Sequence, residues 1–260
     1  MKNKKLIIAC AAVVLCLIAA VIAAVFTTGE KKIPAAADSR LVCDYSYVYY
    51  NDINGRVCRA DSTGGKVRVI KNDAEVVSAH GENVLLRIDN SLVICDRNGN
   101  EEKRFDAFSP DLAALAKNSI YYIEGGNNLI AIDRATGDSE QIASFEGGTV
   151  TAFCVDGFDV IYALDNTSLH KYNVRDNTNE TMITYMEITS FTCDDGYLVI
   201  PNPNNEYTAL KIALFNYEPE EYLQIHSKNL AYKNGILYYL ENVGTDKKEY
   251  TVKTSPIGVH

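Results

Sequence analysis

The chain has 260 residues, an apolar fraction of 47% and a net charge of −9, which is enough apolar sequence to bury a sizeable core. Lys2, Lys4 and Lys5 are the only charged residues before Glu30. The rest of the chain contains the other 22 of the 25 Lys and Arg residues and all 34 Asp and Glu residues, so its net charge is about −12. A domain this acidic is a poor match for a nucleic-acid backbone or for an anionic lipid surface.

The first predicted element is a membrane segment. Residues 6–26 carry no charged or strongly polar side chain, and as a helix they would span roughly 31 Å, about the thickness of a bilayer's hydrocarbon core. The lysines before this run place the N-terminus in the cytoplasm. A cleaved signal peptide is the alternative, but its apolar region is normally shorter than this one. We therefore expect a single-pass cell-membrane protein with an uncleaved signal anchor.

The anchor divides the chain into four predicted parts. Residues 1–5 form a cytoplasmic tail and residues 6–26 the transmembrane helix. Residues 27–38 are small, polar and Pro-containing, which is typical of a linker. Residues 39–260 form an extracytoplasmic domain.

Short apolar strands recur through that domain at spacings of 37, 36, 40, 37 and 39 residues. They begin at Tyr47, Val84, Ile120, Val160, Tyr197 and Ile236. Each follows a turn and another apolar stretch, and each is followed by a third strand and a weaker fourth. Four antiparallel strands per unit at this period predict an all-β fold, a six-bladed β-propeller.

Three details of the repeat carry their own predictions. The adjacent pairs Tyr49-Tyr50 and Tyr121-Tyr122 are expected to pack against opposite neighbouring blades, because successive strand residues face opposite ways. Residues 111–117 favour a helix in isolation, but their position in the repeat predicts an inner strand. Residues 256–260 offer little for a last strand, so we expect imperfect ring closure or an open edge.

Two segments carry a family resemblance. VYYND at 48–52 with RVCRADSTGG at 56–65, and IYYIEGGNNLIAIDRATG at 120–137, resemble the YWTD-type propeller repeat of lipoprotein-receptor ectodomains. They resemble still more the Tyr-rich propeller domains of bacterial surface proteins, because the Trp of the YWTD motif is missing throughout. The resemblance is good in units one and three, fair in unit six and weak in the others. It implies an extracellular binding or scaffold domain and transfers no catalytic residue.

The cysteines and histidines form no recognisable motif. Five cysteines lie in the predicted domain without any CxxC pair, so buried free thiols are favoured, and a disulfide remains open outside the cell. The histidines are scattered without metal-ligand spacing. The Asp96-x-Asn98-x-Asn100 run resembles part of a calcium loop, but a plain turn is favoured because the repeat requires one there. We expect no metal and no cofactor.

The candidate binding residues are polar side chains in or near the connections that enter the innermost strands. They are Asp73, Glu75, Asp111, Glu146, Glu187 and His226. These connections share one propeller face with the loops after the second strands, where Asp52, Asp89, Glu124 and Asp165 stand and are expected to shape turns. Paired acids in the central funnel would allow hydrolysis of glycosidic bonds. A chain with so many acids is expected to place some of them there by chance, so their presence alone does not indicate catalysis.

The sequence therefore predicts a membrane-anchored binding or scaffold module rather than an enzyme. Its expected partner is a protein or a cell-wall glycan, bound by the loops of one face, and nucleic acid is not expected. Two alternatives remain: a carbohydrate-active enzyme with acidic funnel residues, and a non-catalytic subunit of a membrane complex. A binding module predicts exposed aromatic or apolar side chains on one face.

Overall fold

Six small antiparallel sheets arranged as blades make up the described part of the chain. The computed structural model describes residues 33–36, 39–184, 187–201, 208–225, 227, 229–243 and 250–257. Blade one contains β1 (Val42–Cys43), β2 (Tyr47–Asn51), β3 (Val57–Asp61) and β4 (Arg68–Lys71). Blade two contains β5 (Glu75–His80), β6 (Asn83–Ile88), β7 (Ser91–Asp96) and β8 (Glu101–Phe105). Blade three contains β9 (Ala113–Leu115), β10 (Ser119–Glu124), β11 (Asn128–Asp133) and β12 (Ser139–Ser144).

The remaining blades follow the same order, from the innermost strand outwards. Blade four contains β13 (Val150–Asp156), β14 (Asp159–Leu164), β15 (Ser168–Asn173) and β16 (Thr178–Thr184). Blade five contains β17 (Thr192–Asp194), β18 (Tyr197–Pro201), β19 (Thr208–Ala213) and β20 (Pro219–Gln224). Blade six contains β21 (Leu230–Lys233), β22 (Ile236–Asn242) and β23 (Tyr250–Pro256). The predicted six-bladed propeller is confirmed.

The predicted second strands begin within one residue of β2, β6, β10, β14, β18 and β22. The inner-strand prediction for residues 111–117 is also confirmed, since Ala113–Leu115 pairs with β10. An isolated helix there would leave its apolar side chains in water. As β9 the same side chains lie buried beside β5 and β13, and this burial outweighs a small helix preference.

The hydrophobic core lies between the blades rather than within one layer. Within the described residues, buried apolar side chains form a cluster at each junction between neighbouring blades. Tyr49 joins the cluster between blades one and two, and Tyr50 joins the cluster between blades six and one. Tyr121 and Tyr122 are divided in the same way between the two sides of blade three. The predicted opposite packing of both tyrosine pairs is therefore confirmed.

Residues 33–36 join the two ends of the ring. The Ala35 amide donates a hydrogen bond to the Tyr250 carbonyl at 2.8 Å, and the Ala36 amide donates one to the Asn51 carbonyl at 2.9 Å. Ala35 is fully buried, and the Tyr50 hydroxyl donates to the Ile33 carbonyl at 2.9 Å. This segment belongs to the predicted linker. It nevertheless makes some of the hydrogen bonds and apolar contacts that a fourth strand of blade six would make with its neighbours.

Hydrophobic residues 6–26 lie outside the described residues. Where the chain is described, no helix is long and apolar enough to cross a membrane. The membrane anchor therefore stays a prediction.

Candidate functional site

The antiparallel strand order gives the propeller two faces. The entry face carries the loops between second and third strands, such as 52–56 and 125–127, and the connections into the innermost strands, such as 106–112. The hairpin face carries the turns between first and second strands, such as 157–158, and between third and fourth strands. The five candidate binding residues that the structure describes belong to the entry face.

The predicted binding residues are exposed but mostly separate. Asp73, Glu75, Asp111, Glu146 and Glu187 are all exposed, and His226 lies outside the described residues. Glu75 forms an ion pair with Arg87 across blade two. Of the five described candidates, Asp111 lines an open groove on this face. Whether these residues bind anything stays a prediction.

Asp111 shares an open groove with Glu124 on the entry face. The groove has a volume of about 640 Å³ and lies where blade three meets the connection to blade four. Phe108 and Tyr122 form one wall and pack edge to face, with 4.7 Å between ring centroids. Glu124 was expected to shape a turn, but its carboxyl group is exposed beside the groove.

Asp52 and Asp165, by contrast, accept hydrogen bonds from backbone amides of the loops, as expected of residues that shape turns. Asp52 accepts hydrogen bonds from the amides of Asn54 and Arg56, both at 2.9 Å. These bonds and the Arg56 side chain lower the pKa of Asp52 despite its burial, which acts in the opposite direction. Asp165 accepts the Thr149 amide at 2.9 Å, which ties two loops of blade four together.

The innermost strands enclose a central channel of about 350 Å³. Arg40 lies at its entry end and donates to the Val77 carbonyl at 3.0 Å. Near its hairpin end, Lys233 of blade six forms an ion pair and hydrogen bond with Asp194 of blade five. Asp194 also accepts the Asn234 amide at 3.0 Å. Charged groups from neighbouring blades therefore line the channel near the hairpin face.

Burial shifts the ionisation of these groups in different directions. Asp156 accepts the Gly196 amide at 2.8 Å, but burial raises its pKa, and neighbouring Asp194 adds to the increase. Burial would lower the pKa of Lys233, but the hydrogen bond and charge of Asp194 raise it overall. Burial lowers the pKa of His80, and the positive charge of Lys233 adds to that effect. Around neutral pH the channel mouth thus combines a fixed ion pair with a neutral imidazole.

Exposed aromatic side chains accompany these charges on the hairpin face. Tyr45 is 62% exposed, Phe158 55% and Phe215 78%. The Tyr45 ring lies over the Lys233 ammonium at 4.6 Å, and the Phe158 ring lies over the Arg175 guanidinium at 4.9 Å. Such cation–π contacts hold a ring in place while leaving its other side free.

These residues are connected through backbone and side-chain bonds. Lys233 links Tyr45 to Asp194, and the Gly196 amide links blade five to Asp156, two residues before Phe158. Phe215 follows Leu214, whose amide donates to the Gly196 carbonyl at 2.9 Å. We call Tyr45, Phe158 and Phe215 the aromatic arc. Its three members lie in hairpin-face turns of blades one, four and five.

A disulfide joins Cys154 of β13 to Cys193 of β17, with 6.3 Å between Cα atoms. The expectation of free thiols is therefore wrong for this pair. The two cysteines stand 39 residues apart, about one blade, and the ring closure places equivalent inner strands side by side. Among the described cysteines, Cys43, Cys58 and Cys95 are free, and burial raises the pKa of Cys58 to about 12 and of Cys95 to about 11.

The Asp96 segment is a turn, as expected. Its carboxylate accepts the amides of Asn98 at 2.8 Å and Asn100 at 2.9 Å. Gly99 in this turn has φ +84° and lies so close to the Ile70 carbonyl that an added Cβ would stand 2.1 Å from that oxygen. Over the described residues, no group of three or more His, Cys, Asp or Glu side chains is placed to hold a metal ion.

The sequence patterns did not indicate the hairpin-face site, whose residues lie in or beside short turns. Asp156, Asp194 and Lys233 each end an innermost strand directly before or beside a Gly-containing turn. A charged residue therefore recurs at the end of the innermost strand in three consecutive units, and this recurrence in the sequence could have indicated the site. The exposed Phe158, inside a tight turn where a polar residue is usual, was a second signal.

No protein-family model and no curated protein matches this sequence. Among solved structures, the chain is similar to one in a crystal structure of a nidogen/laminin complex, with 13% sequence identity and a TM-score of 0.58 over 85% of this chain and 86% of that one. It is also similar to the computationally designed Ika8 protein, with 13% identity and a TM-score of 0.47 over 84% of this chain and 71% of that one. The first likeness supports the fold part of the resemblance to YWTD-type propellers. The narrower resemblance to Tyr-rich bacterial surface domains stays a prediction.

Proposed function

We propose that the protein is a membrane-anchored, extracytoplasmic and non-catalytic binding or scaffold module whose hairpin face engages a protein partner. The observation that carries this proposal is the aromatic arc of exposed side chains on the hairpin face. Exposed aromatic side chains on one face are what a binding module requires, and a small number of such anchors usually supplies most of the binding energy of a protein interface.

The chemistry of the arc favours a protein partner. Tyr45 and Phe158 are held by the cations beneath them, so they lose little conformational freedom on binding. Charged and polar groups surround them, as in the polar rim of a protein interface. The nidogen/laminin structure, a complex of two proteins, is consistent with this use of the fold but shows the fold alone.

The location rests on two independent observations. The apolar run at 6–26, preceded by lysines, favours a single-pass anchor with the propeller outside the cytoplasm. The Cys154–Cys193 disulfide is of the kind that forms and persists in oxidising, extracytoplasmic compartments. Both agree with the cell-surface location that the sequence predicts.

Site-specific photo-crosslinking in native membranes tests the proposal. A photoreactive amino acid replaces Tyr45, Phe158 or Phe215 in the full-length chain, and Asp73 or Glu146 on the entry face in matched controls. We expect one protein partner to be captured from all three arc positions and from neither control. The triple variant Tyr45→Ser, Phe158→Ser and Phe215→Ser should then lose that partner, since each anchor contributes about 2 kcal/mol.

The outcomes separate the competing functions. Because the three side chains are largely exposed, the triple variant should keep the wild-type melting temperature, so lost capture would report lost contact. Capture from the entry-face positions alone would overturn the assignment to the hairpin face. If no protein is captured and purified cell-wall glycan is bound or cleaved instead, the glycan-binding or enzymatic alternative replaces the proposal.

A further inference from the structure

The groove on the entry face is a second surface that the hairpin-face proposal does not use. It is lined mainly by apolar side chains, including Phe108, Leu112 and Tyr122, and has a volume of about 640 Å³. It lies at the opposite end of the blades from the aromatic arc. A ligand could therefore occupy it while the hairpin face is engaged.

Backbone hydrogen bonds shape the groove in advance. The Val150 amide donates to the Gly126 carbonyl at 2.7 Å, and the Ile123 amide donates to the Leu112 carbonyl at 3.1 Å. The Arg87 side chain donates to the Pro110 carbonyl at 2.7 Å and fixes the connection above β9. A surface that is already ordered before binding loses less conformational entropy when a ligand docks, so binding is more favourable.

Two carboxyl groups give the apolar groove a charge preference. Asp111 and Glu124 are exposed at its edge, and within the described part of the chain neither side chain has an ion-pair or hydrogen-bond partner. Unpaired carboxylates beside an apolar wall match a side chain with an apolar stem and a cationic head. Lysine and arginine are the side chains of that kind.

We propose that this groove binds a segment of a partner protein that carries both basic and apolar side chains. The apolar side chains pack against Phe108 and Tyr122, and a lysine or arginine reaches Asp111 and Glu124. With the hairpin face occupied as well, the propeller would hold two partners at opposite ends of its blades.

Photo-labelling of the full-length protein in neutral detergent tests the groove. The probe is a short benzophenone-bearing peptide of alternating lysine and leucine. We expect saturable labelling that maps to residues 107–112 and 122–126. The double variant Asp111→Asn with Glu124→Gln should weaken labelling about tenfold, as expected when charge pairs at an apolar site are removed.

Asp138→Asn with Glu140→Gln is the matched control. Both side chains are exposed, both belong to blade three, and the pair changes the net charge by the same amount. We expect this control to change labelling less than twofold. Equal weakening by both double variants would overturn the proposal in favour of a diffuse acidic field, and labelling that maps elsewhere would overturn it as well.

The peptide and the arc variants complete the test. A lysine–glycine peptide should label about tenfold more weakly than the lysine–leucine peptide, and equal labelling would show that no apolar contact contributes. The triple variant of the aromatic arc should label like the wild type. The failure of the hairpin-face proposal and the failure of this one are therefore distinguishable.

Discussion

The two faces of the propeller differ in how neighbouring blades are joined. On the hairpin side, blades four and five share a disulfide and the Asp156–Gly196 hydrogen bond, and blades five and six share the Lys233–Asp194 ion pair. On the entry side, the ion pairs Asp52–Arg56 and Glu75–Arg87 each lie within one blade, and blades one and two are joined by the hydrogen bond from Arg40 to the Val77 carbonyl. An open groove lies beside the loops of blades three and four. The hairpin face therefore carries exposed aromatic side chains on blades that are cross-linked to each other. The entry face carries exposed charged loops and a groove.

Charged pairs of the same kind contribute differently to stability according to their burial. At the hairpin mouth, Asp194 and Lys233 are 9% and 17% exposed as side chains, whereas Glu75 on the entry face is 56% exposed. A buried pair is costly to break because one charge is left without a partner. An exposed pair is screened by water and contributes little.

The largest expected effect is the loss of the disulfide. Replacing Cys154 and Cys193 by Ser removes a cross-link between residues 39 apart, which by chain entropy should lower the free energy of unfolding by about 4 kcal/mol. Urea unfolding of the full-length protein measures this. Cys43→Ser, at a free thiol in the same channel, is the control and should cost clearly less. Equal losses would mean that packing alone joins blades four and five.

The next effect concerns the ion pair at the channel mouth. Asp194→Asn leaves the ammonium of Lys233, whose side chain is only 17% exposed, without its counter-charge. It should lower the free energy of unfolding by about 3 kcal/mol. A second change, Lys233→Met, should restore part of the loss because it removes the unpaired charge. If the double variant is no more stable than Asp194→Asn, the loss has another origin than the charge.

Two hairpin-face aspartates should respond to pH with opposite signs. The Thr63 side chain and the backbone amides of Thr63 and Gly65 lower the pKa of Asp61. Its stabilising contribution is therefore present above the unfolded value of about 3.9 and is lost as pH falls through its folded value. Asp61→Asn should cost about 1 kcal/mol at pH 7 and flatten the loss of stability in acid. Unfolding curves at pH 7 and below pH 4 measure both.

Burial raises the pKa of Asp156 instead. Its charge therefore opposes folding at pH 7, and this penalty disappears as pH falls through the raised value. Asp156→Asn should leave the free energy of unfolding at pH 7 unchanged or increase it slightly. A loss as large as that of Asp61→Asn would show that the carboxylate of Asp156 stabilises the fold, contrary to its burial.

The smallest effect is expected on the entry face. Glu75→Gln breaks the pair with Arg87, but because Glu75 is largely exposed the change in free energy of unfolding should stay within about 0.5 kcal/mol. The same unfolding assay measures it beside Asp194→Asn. A loss comparable to that of Asp194→Asn would remove the difference between the faces.

Much of the fold could be predicted because it depends on short-range patterns. Short apolar strands such as β6 and β10, each flanked by tight turns, recur once per blade. A repeat of this length is typical of small sheets stacked around a ring. The opposite packing of Tyr49 and Tyr50 follows from strand geometry alone. The site was predicted less well. Asp111 does lie at a groove, but the aromatic arc depends on turns from blades one, four and five that are distant in sequence.

The sequence by itself determined the number of blades, the four-strand pattern and the turn roles of residues such as Asp52 and Asp96, because each depends on neighbours within one unit. Only the tertiary structure decided three things. They are the bond between Cys154 and Cys193, the pairing of Lys233 with Asp194, and the use of residues 33–36 to join blades six and one. These contacts exist because ring closure brings innermost strands and chain ends together, and no local spacing encodes which residues then meet.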